Sequence, residues 1–338
     1  MITTPSFHGF WKPADAAVGG GSAWVNKVSV SEDSGTHIIT ANHATGGWGT
    51  QGAGTADSIS SAGGWVKTTI GELNKYRGFG IDPSNSHTHY NTVDYLAFFA
   101  LASLEIFQSG GSQGVGPTLV AEDEILIHLS PDGVVEFWIN SVLKRLGSTK
   151  AVNFPYYGVA VFDSIGGTMR PLTFGPLLAG SPPANGVTWR NKTQCGVGTS
   201  NALQSFLNGW TSAGATSNES AASGESKTLE FTLTGFGGVV CGFTTSTSNL
   251  GYASLARSIL VYGNGGAAQV REGGSEITAW ATAPGHVMKI TLDAGGVARY
   301  YDNDAIKRTN TTALASFPYY VGAGFEFAAS RLEGVRLY

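Results

Sequence analysis

The chain has 338 residues, of which 48 are glycine and only 13% are charged, and its formal net charge is −4. A globular protein usually has about 25% charged residues, so small polar side chains must cover much of this surface. The composition excludes a basic nucleic-acid-binding face, and no apolar run reaches the roughly 20 residues that a membrane-spanning helix needs.

Segments of alternating or β-branched residues, separated by glycine-rich turns, predict short strands along the whole chain. In chain order the clearest are Trp24–Lys27, Trp65–Ile70, Tyr95–Leu104, Ile125–Leu129, Leu229–Leu233, Val287–Leu292 and Val297–Tyr301. The last two flank a tight turn at Asp293–Gly296, which is typical of a hairpin. No segment keeps a helical period for three turns, so we predict an all-β sandwich or jelly roll.

Six segments of the first half recur in the same order in the second half, which indicates a duplication. Phe154-Pro-Tyr-Tyr157 recurs as Phe317-Pro-Tyr-Tyr320. The other pairs are Trp24–Lys27 with Trp189–Lys192, Gly47–Ala53 with Gly209–Ala215, Ser103–Gly111 with Ser258–Gly266, Ile125–Leu129 with Met288–Leu292, and Gly133–Asn140 with Gly296–Asn303. We therefore predict an N-terminal tail (1–18), a first module (19–170), a proline- and glycine-containing linker (171–186) and a second module (187–338).

The order of these segments, from the Trp-x-Asn strand to the closing hairpin and the Phe-Pro-Tyr-Tyr segment, resembles the concanavalin A-like (laminin-G/SPRY-like) jelly-roll modules. Such modules occur in phage tail and virion proteins and in bacterial surface adhesins. The resemblance covers both halves and implies two tandem antiparallel β-sandwich (jelly-roll) domains. Members bind glycans or proteins or serve as spacers, and some hydrolyse glycosides, so the resemblance transfers no ligand-binding residue.

The acidic residues do not form the pair that a glycosidase needs. In Glu122-Asp-Glu124 neighbouring side chains point to opposite faces of a strand, and Glu136 stands alone on an apolar strand. We therefore expect no enzyme. Asp302-Asn-Asp304 and the pair His87 and His89 offer too few ligands for Ca²⁺ or Zn²⁺, so no metal or cofactor is predicted, although Ca²⁺ is the ion that the oxygen ligands would suit.

Aromatic residues shared by the two halves are interpreted as core, because a duplicated fold keeps its core. They are Trp24 and Trp189, Trp48 and Trp210, Phe154 and Phe317, and Tyr156 and Tyr319. Unshared aromatic residues in loops are the candidates for ligand binding: Trp65, Tyr90 and Trp280, with Asn85 as a hydrogen-bonding neighbour. Trp280 falls in a stretch that is eight residues longer than its first-half counterpart.

The N-terminal tail carries Phe7, Phe10 and Trp11, which could dock on a neighbouring domain or subunit, and a frayed tail is the alternative. It lacks the basic start and apolar run of a secretory signal. Cys195 and Cys241 have no counterparts in the first half, so they are expected to be buried free thiols rather than a disulfide.

Together these features predict a non-catalytic, virion-associated or cell-surface adhesin that binds a host glycan through loops at the ends of the sandwiches. A structural virion protein, such as a head decoration or a tail spacer, is the alternative, and a glycoside hydrolase ranks third. The expected partners are a host-surface glycan or other virion proteins, with self-association into a homo-oligomer left open. Because the loops of the two halves diverge, we expect at most one module to bind.

Overall fold

The computed structural model describes residues 21–178, 184–235, 237–247, 251–263 and 266–338. Within these ranges the chain forms two sandwiches of antiparallel strands and divides after Leu178. The predicted fold class, two tandem β-sandwiches, is confirmed. The tail 1–18, with Phe7, Phe10 and Trp11, lies outside the described residues. No helix in the described ranges is long and apolar enough to cross a bilayer.

The first sandwich is built from two large sheets and a small one. Its described strands are β1 (Trp24–Val28), β2 (Val30–Glu32), β3 (Ile39–Ala41), β4 (Gln51–Ile59), β5 (Gly64–Thr69), β6 (Tyr76–Asp82), β7 (Tyr95–Ala100), β8 (Ser103–Gln108), β9 (Gly111–Thr118), β10 (Glu124–Leu129), β11 (Val135–Ile139), β12 (Val142–Leu146), β13 (Tyr156–Phe162), β14 (Thr168–Met169) and β15 (Thr173–Gly175). The sheet orders are β1-β4-β13-β6-β7-β8-β9, β12-β11-β10-β5-β15 and β14-β3-β2. A short 3₁₀ turn, Tyr90–Thr92, lies between β6 and β7.

The second sandwich has two seven-stranded sheets. Its described strands are β16 (Trp189–Thr193), β17 (Cys195–Val197), β18 (Leu203–Ser205), β19 (Gly214–Ala221), β20 (Lys227–Leu233), β21 (Val239–Thr244), β22 (Arg257–Tyr262), β23 (Ala267–Glu272), β24 (Ser275–Ala281), β25 (Val287–Leu292), β26 (Ala298–Asp302), β27 (Ala305–Thr309), β28 (Tyr319–Phe325) and β29 (Arg331–Leu337). The sheet orders are β16-β19-β28-β21-β22-β23-β24 and β17-β18-β29-β20-β25-β26-β27. Two 3₁₀ turns lie at Thr199–Asn201 and Tyr252–Ser254.

Strand alternation places one apolar face of each sheet in a core between the two layers. On β25 the core residues are Met288, Ile290 and Leu292, as their spacing of two predicts. The tyrosines of the repeated Phe-Pro-Tyr-Tyr segment are core residues as well, since Tyr156 and Tyr319 are 1% and 5% exposed. Their interpretation as duplicated core is confirmed.

Both cysteines are buried and free, as predicted. Cys241 lies on β21 in the second core, and its burial raises the pKa of the thiol well above the ordinary value. Cys195, on β17, donates its thiol proton to the Gly214 carbonyl at 3.0 Å. Burial of this kind is typical of a structural cysteine.

One of the six matched pairs of segments joins strands that are not equivalent in the two sandwiches. Ser103–Gly111 begins with β8, whereas Ser258–Gly266 begins with β22, and the sheet orders make β22 the equivalent of β7. With β8 matched to β23 and β10 matched to β25, the first residues of β8 and β10 are 21 positions apart and those of β23 and β25 are 20 positions apart. The expected eight-residue extension around Trp280 is therefore wrong, and Trp280 lies in edge strand β24 rather than in a longer loop.

The structure also shortens the segment 171–186 that the sequence suggested as a linker. Thr173–Gly175 forms β15, which pairs with β5 and covers the edge of that sheet. At the other end, the Leu337 amide donates to the Asn185 carbonyl at 3.1 Å. The backbone groups of β15 are satisfied by β5, and Leu178 packs with Trp65 of the same sheet. The described residues up to Leu178 thus belong to the first sandwich.

Candidate functional site

The outer face of the first seven-stranded sheet carries apolar side chains that are separate from the main core. Strand alternation sends Ala97 and Phe99 of β7 inward, whereas Leu96 and Phe98 point to the outer face. These outer residues pack with β13 neighbours and with side chains from nearby loops. An apolar outer face of this kind needs a cover, and the chain supplies one from the segment between β6 and β7.

Residues 83–94 lie across this outer face because two residues of the strand beneath them, Gly52 and Gly54 of β4, have no side chain. A Cβ placed on Gly54 of β4 would lie 2.0 Å from the Asn85 carbonyl oxygen, and one on Gly52 would lie 2.1 Å from the His87 carbonyl oxygen. Only glycine permits the backbone of the loop to approach the sheet so closely.

Side-chain hydrogen bonds fix the loop in this position. The Asn26 amide donates to Asn85 Oδ1 at 2.6 Å, and Asn26 itself has φ of 48°, a conformation that asparagine tolerates well. Buried Asp82 lies 2.7 Å from His87 Nε2, and His87 Nδ1 lies 2.9 Å from Thr92 Oγ1. The amide and carboxylate groups of this loop are therefore used to hold its own fold.

The loop and sheet together form a cluster of rings, which we call the first shelf: the half-exposed Trp48, His89, Tyr90 and Phe107, and the buried Phe98. Tyr90 meets Trp48 at 5.0 Å and Phe107 at 5.0 Å between ring centroids, both edge-on, and it stacks on His89 at 4.9 Å. Phe98 lies beneath them and is 8% exposed. Such edge-to-face packing gives the rings a fixed geometry.

The second module has an equivalent cluster, the second shelf: Trp210, Tyr252, Tyr262 and Arg271. Trp210 lies edge-on to Tyr252 at 6.2 Å and to Tyr262 at 5.9 Å. The guanidinium of Arg271 lies 4.4 Å from the Tyr252 ring centroid, a cation–π contact. The Asn191 amide donates to the Thr247 carbonyl at 2.6 Å, as Asn26 bonds the matching loop in the first module.

The two shelves occupy the same place in the repeated fold. Trp48 and Trp210 are 162 positions apart, and so are Tyr90 and Tyr252, each tyrosine opening a 3₁₀ turn before the equivalent strand. The interpretation of Trp48 and Trp210 as core is wrong, because both pack outside the main cores. Tyr90 is not an unshared residue, since its counterpart is Tyr252.

The polar edges of the shelf residues are left unpaired within the described part of the chain. No hydrogen bond joins the indole N–H of Trp48 or Trp210, or the hydroxyl of Tyr90 or Tyr252, to another described residue, and all four side chains are only partly buried. By contrast, Trp24 of the core donates its N–H to the His37 carbonyl at 2.9 Å. The shelves thus combine apolar ring surface with donors that no described residue occupies.

The other predicted ligand residues lie elsewhere, and their rings are occupied. Trp65 is 8% exposed on the outer face of the five-stranded sheet, where it packs with Leu126 and Leu178. A Cβ on Gly175 would lie 2.0 Å from its ring, and Lys67 Nζ lies 5.3 Å from the ring centroid. Since its faces already have partners, Trp65 is not available as a stacking platform.

Trp280 is half-buried at the edge of the second sandwich. Its indole N–H donates to Asp302 Oδ2 at 2.7 Å, and Asp302 Oδ1 lies 2.6 Å from His286 Nδ1. The ring contacts the core on one side, and Lys307 Nζ lies 6.0 Å from its centroid. Trp280 thus anchors an edge strand to the facing sheet. Of the four predicted ligand residues, only Asn85 and Tyr90 lie together, on the loop after β6.

The acidic side chains considered for catalysis are paired with other groups. Glu122 accepts two hydrogen bonds from Arg170, at 2.6 and 2.7 Å, and the Lys67 ammonium lies 2.7 Å from Glu124. Glu136 is fully buried 3.0 Å from His128. In the described ranges no group of three or more His, Cys, Asp or Glu side chains could hold a metal ion.

The carboxyl group of Asp94, near the first shelf, has surroundings that disfavour its ionised form. Burial raises the pKa of Asp94, and the nearby Asp82 carboxylate raises it further, although a hydrogen bond from Tyr156 opposes both effects. Asp82 is tied to the backbone amide of Asp94 at 2.9 Å. The two carboxylates therefore sit at the junction of loop and sheet.

The sequence matches no family model and no curated protein. Among solved structures, the carbohydrate recognition domain of Emp47p is 13% identical, with 46% of this chain and 89% of that chain covered and a TM-score of 0.34. The SPRY domain of human HERC1 is 14% identical, with 46% and 98% covered and a TM-score of 0.36. The carbohydrate-binding module CBM66 from Bacillus subtilis is 14% identical, with 48% and 99% covered and a TM-score of 0.30. Each covers about half of the chain, and at these identities the likeness concerns the fold alone.

Proposed function

We propose that this protein is a non-catalytic adhesin that binds glycans through the two aromatic shelves, one on each module. The observation that carries the proposal is the equivalent pair Trp48–Tyr90 and Trp210–Tyr252, held edge-on outside both cores, with polar edges that bond to none of the described residues. A core needs no such pair, and a duplicated surface cluster suits a duplicated ligand site.

The chemistry of the shelves fits a sugar ring. One face of a pyranose carries C–H groups that pack on indole and phenol rings, while its rim of hydroxyls bonds to N–H and O–H groups. Because neighbouring rings already fix the shelf residues, little side-chain freedom would be lost on binding. Glycans carry many identical units, so two equivalent sites on one chain would add avidity. This proposal differs from the expectation that at most one module binds.

The absence of catalysis and the location on a virion or cell surface are also part of the proposal. The engagement of Glu122, Glu124 and Glu136 by Arg, Lys and His partners supports a binding protein over a glycosidase. The low charge and the abundance of glycine, serine and threonine support an exposed location. Host-surface glycans are the ligand class that such a location makes available.

A glycan array with the intact chain tests the proposal, using Trp48→Ala, Trp210→Ala and the double variant. Losing one ring contact of about 0.5–1.5 kcal/mol should weaken binding up to about tenfold in each single variant, and more in the double variant. Tyr76→Ala is the control, because Tyr76 is 40% exposed but lies outside both shelves.

An array that stays blank at high micromolar protein would count against glycan binding, and association with virus particles in the same preparation would then favour the structural role. If the wild type binds glycans but the double variant binds equally well, the ligand lies elsewhere on the chain. Loss of binding in Tyr76→Ala alone would have the same meaning.

A further inference from the structure

The second large sheet of the second module presents a polar outer face. The outward residues of its central strands form two rows: Glu230 and Lys289 lie opposite one another on β20 and β25, and Thr228, Thr291 and Arg299 continue across β20, β25 and β26. Alternation requires these residues to point away from the core, since Ile290 and its row neighbours fill the interior.

The charges of the first row are already committed to one another. Glu230, which is 6% exposed, lies 3.4 Å from Lys289 Nζ, accepts a hydrogen bond from Tyr338 at 3.1 Å and is bonded by Arg336. Lys289 also lies 2.6 Å from Asp304. A buried carboxylate with this many donors is a closed network, so the first row is not a ligand site.

The second row lines a depression of about 240 Å³, bounded by Ser226, Lys227, Thr228, Thr291, Leu292, Asp293 and Arg299. The volume is below the roughly 300–1,000 Å³ of sites for drug-sized ligands, so it suits a single small group. Thr228 and Thr291 are directly opposite on neighbouring strands and form its floor.

Two cations on the rim of the depression are only loosely paired. Arg299 lies 3.4 Å from Asp293 Oδ2, while Asp293 Oδ1 accepts hydrogen bonds from the amides of Gly295 and Val297, at 3.0 and 2.9 Å. Lys227 Nζ lies 4.0 Å from Glu225. The carboxylates are thus occupied or distant, and the cations keep donors that an added anion could use.

The floor supplies a further donor. The hydroxyl of Thr291 is buried and has no hydrogen-bond partner in the described structure. A buried hydroxyl without a partner costs stability, and a bound oxygen atom would remove that cost. Arg299, in the same row as Thr291, and Lys227, at the start of β20, thus border one small space together with a buried hydroxyl.

The net charge differs between the two halves of the chain, and the half that contains the depression is the less acidic. Residues 184–338 carry 11 Lys and Arg against 10 Asp and Glu, whereas residues 1–183 carry 9 against 14. The first module also lacks the depression's chemistry, because Trp65, His128 and Glu136 occupy the positions of Thr228, Thr291 and Arg299. An anion is therefore better tolerated near the second module.

We infer that this depression binds an oxyanion, the carboxylate or sulfate group of an acidic saccharide, through Arg299, Lys227 and the Thr291 hydroxyl. The site is independent of the aromatic shelves and lies on a different sheet of the second module. It gives the protein a preference among glycans for those that carry an acidic group within reach of the sheet.

The test measures binding of methyl glucuronide and of uncharged methyl glucoside to the intact chain by saturation-transfer NMR. We expect the glucuronide to bind and the glucoside not to bind, with affinity falling at high ionic strength. Arg299→Gln should weaken binding at least about tenfold, as expected for a lost charge-assisted hydrogen bond. Thr291→Val, which keeps the shape of the side chain, should weaken it several-fold.

Lys307→Gln is the matched control, because it removes the same charge from an exposed site outside the depression. Equal binding of the two glycosides, or equal loss in Arg299→Gln and Lys307→Gln, would overturn the inference. Inorganic sulfate, added as a competitor, distinguishes a site for a free anion from a site for an acidic saccharide. If sulfate displaces the glucuronide as well as free glucuronide does, the site recognises the anion alone. If sulfate competes more weakly, the site recognises the saccharide that carries the acidic group. Trp48→Ala and Trp210→Ala should leave glucuronide binding unchanged, so failure of the shelf proposal would be distinguishable.

Discussion

Truncating the two equivalent shelf tyrosines should have unequal effects on stability. Tyr90 meets three rings edge-on or nearly so: Trp48 at 5.0 Å, Phe98 at 5.5 Å and Phe107 at 5.0 Å. Tyr252 has Trp210 as its one ring neighbour in the described residues, at 6.2 Å, together with a cation–π contact.

The contacts give the expected magnitudes. Aromatic pairs contribute about 0.5–1.5 kcal/mol each, so loss of three pairs in Tyr90→Ala should lower the free energy of unfolding of the first module by about 1.5–4.5 kcal/mol. For Tyr252→Ala, one ring pair and a cation–π contact of about 0.5–1 kcal/mol predict a loss of about 1–2.5 kcal/mol in the second module. Pairs that share a ring are not strictly additive, so the order of the two losses is the firmer expectation.

Hydrogen exchange in increasing urea, read by mass spectrometry on peptides from β7 and β22, reports each module separately in the intact chain. Tyr90→Phe is the control and should stay within about 0.5 kcal/mol of the wild type, because the hydroxyl makes no hydrogen bond to a described residue. Equal losses in the two alanine variants, or a Tyr90→Phe variant as unstable as Tyr90→Ala, would refute the idea that ring contacts hold the first shelf.

Two further changes test the support of the first shelf. Gly54→Ala would place a Cβ 2.0 Å from the Asn85 carbonyl oxygen and should lower the free energy of unfolding in urea by about 1–3 kcal/mol. Gly35→Ala is the control and should be nearly neutral, because the nearest atom to its Cβ would lie at 3.6 Å. Equal effects of the two changes would contradict the close approach of the loop to the sheet. Asp94→Asn should raise the melting temperature at neutral pH, because burial and the Asp82 charge raise the pKa of Asp94, so its ionised form costs stability above that pKa. The gain should fade as pH drops through the raised pKa, and a gain that persists in acid would exclude this cause.

The fold was predictable because its strongest signals are local and repeated. The alternation of Met288, Ile290 and Leu292 and the glycine turn that follows define a hairpin from sequence alone. Repetition of the Phe-Pro-Tyr-Tyr segment then indicated two copies, and the buried tyrosines agree. Such features depend on neighbours in the chain or on a whole module, which a single sequence records.

The site was harder to predict because burial and exposure look alike in a repeat. The presence of Trp48 and Trp210 in both halves predicts core residues, but a duplicated surface cluster is shared in the same way. The equivalence of Tyr90 and Tyr252 is hard to recognise because the loops around them differ in sequence and the best-matched segment after them pairs β8 with β22, which are not equivalent strands. The common offset of 162 positions for both aromatic pairs was the signal that could have found them.

The hydrogen bond from Trp280 to Asp302 is a tertiary contact that the sequence alone does not reveal. An aromatic residue in a polar stretch is typical of a ligand loop, yet here the indole bonds to a carboxylate 22 positions away on the opposite sheet. Trp65 is similar, since its partners Leu126 and Leu178 are distant in sequence. Tertiary contacts of this kind decide which aromatic residues remain free.

The loops that carry the shelf tyrosines have equal lengths but are fitted to different sheets. Twelve residues separate β6 from β7, and twelve separate β21 from β22, so each loop leaves and rejoins its sheet at equivalent points. Gly54 pairs with Val159 in the first module, and Thr216 pairs with Gly322 at the equivalent position of the second module. Because the first loop lies where only glycine fits, it could not seat over Thr216. Exchanging the two loops would therefore require a change in the strand below, and each shelf is tied to its own module.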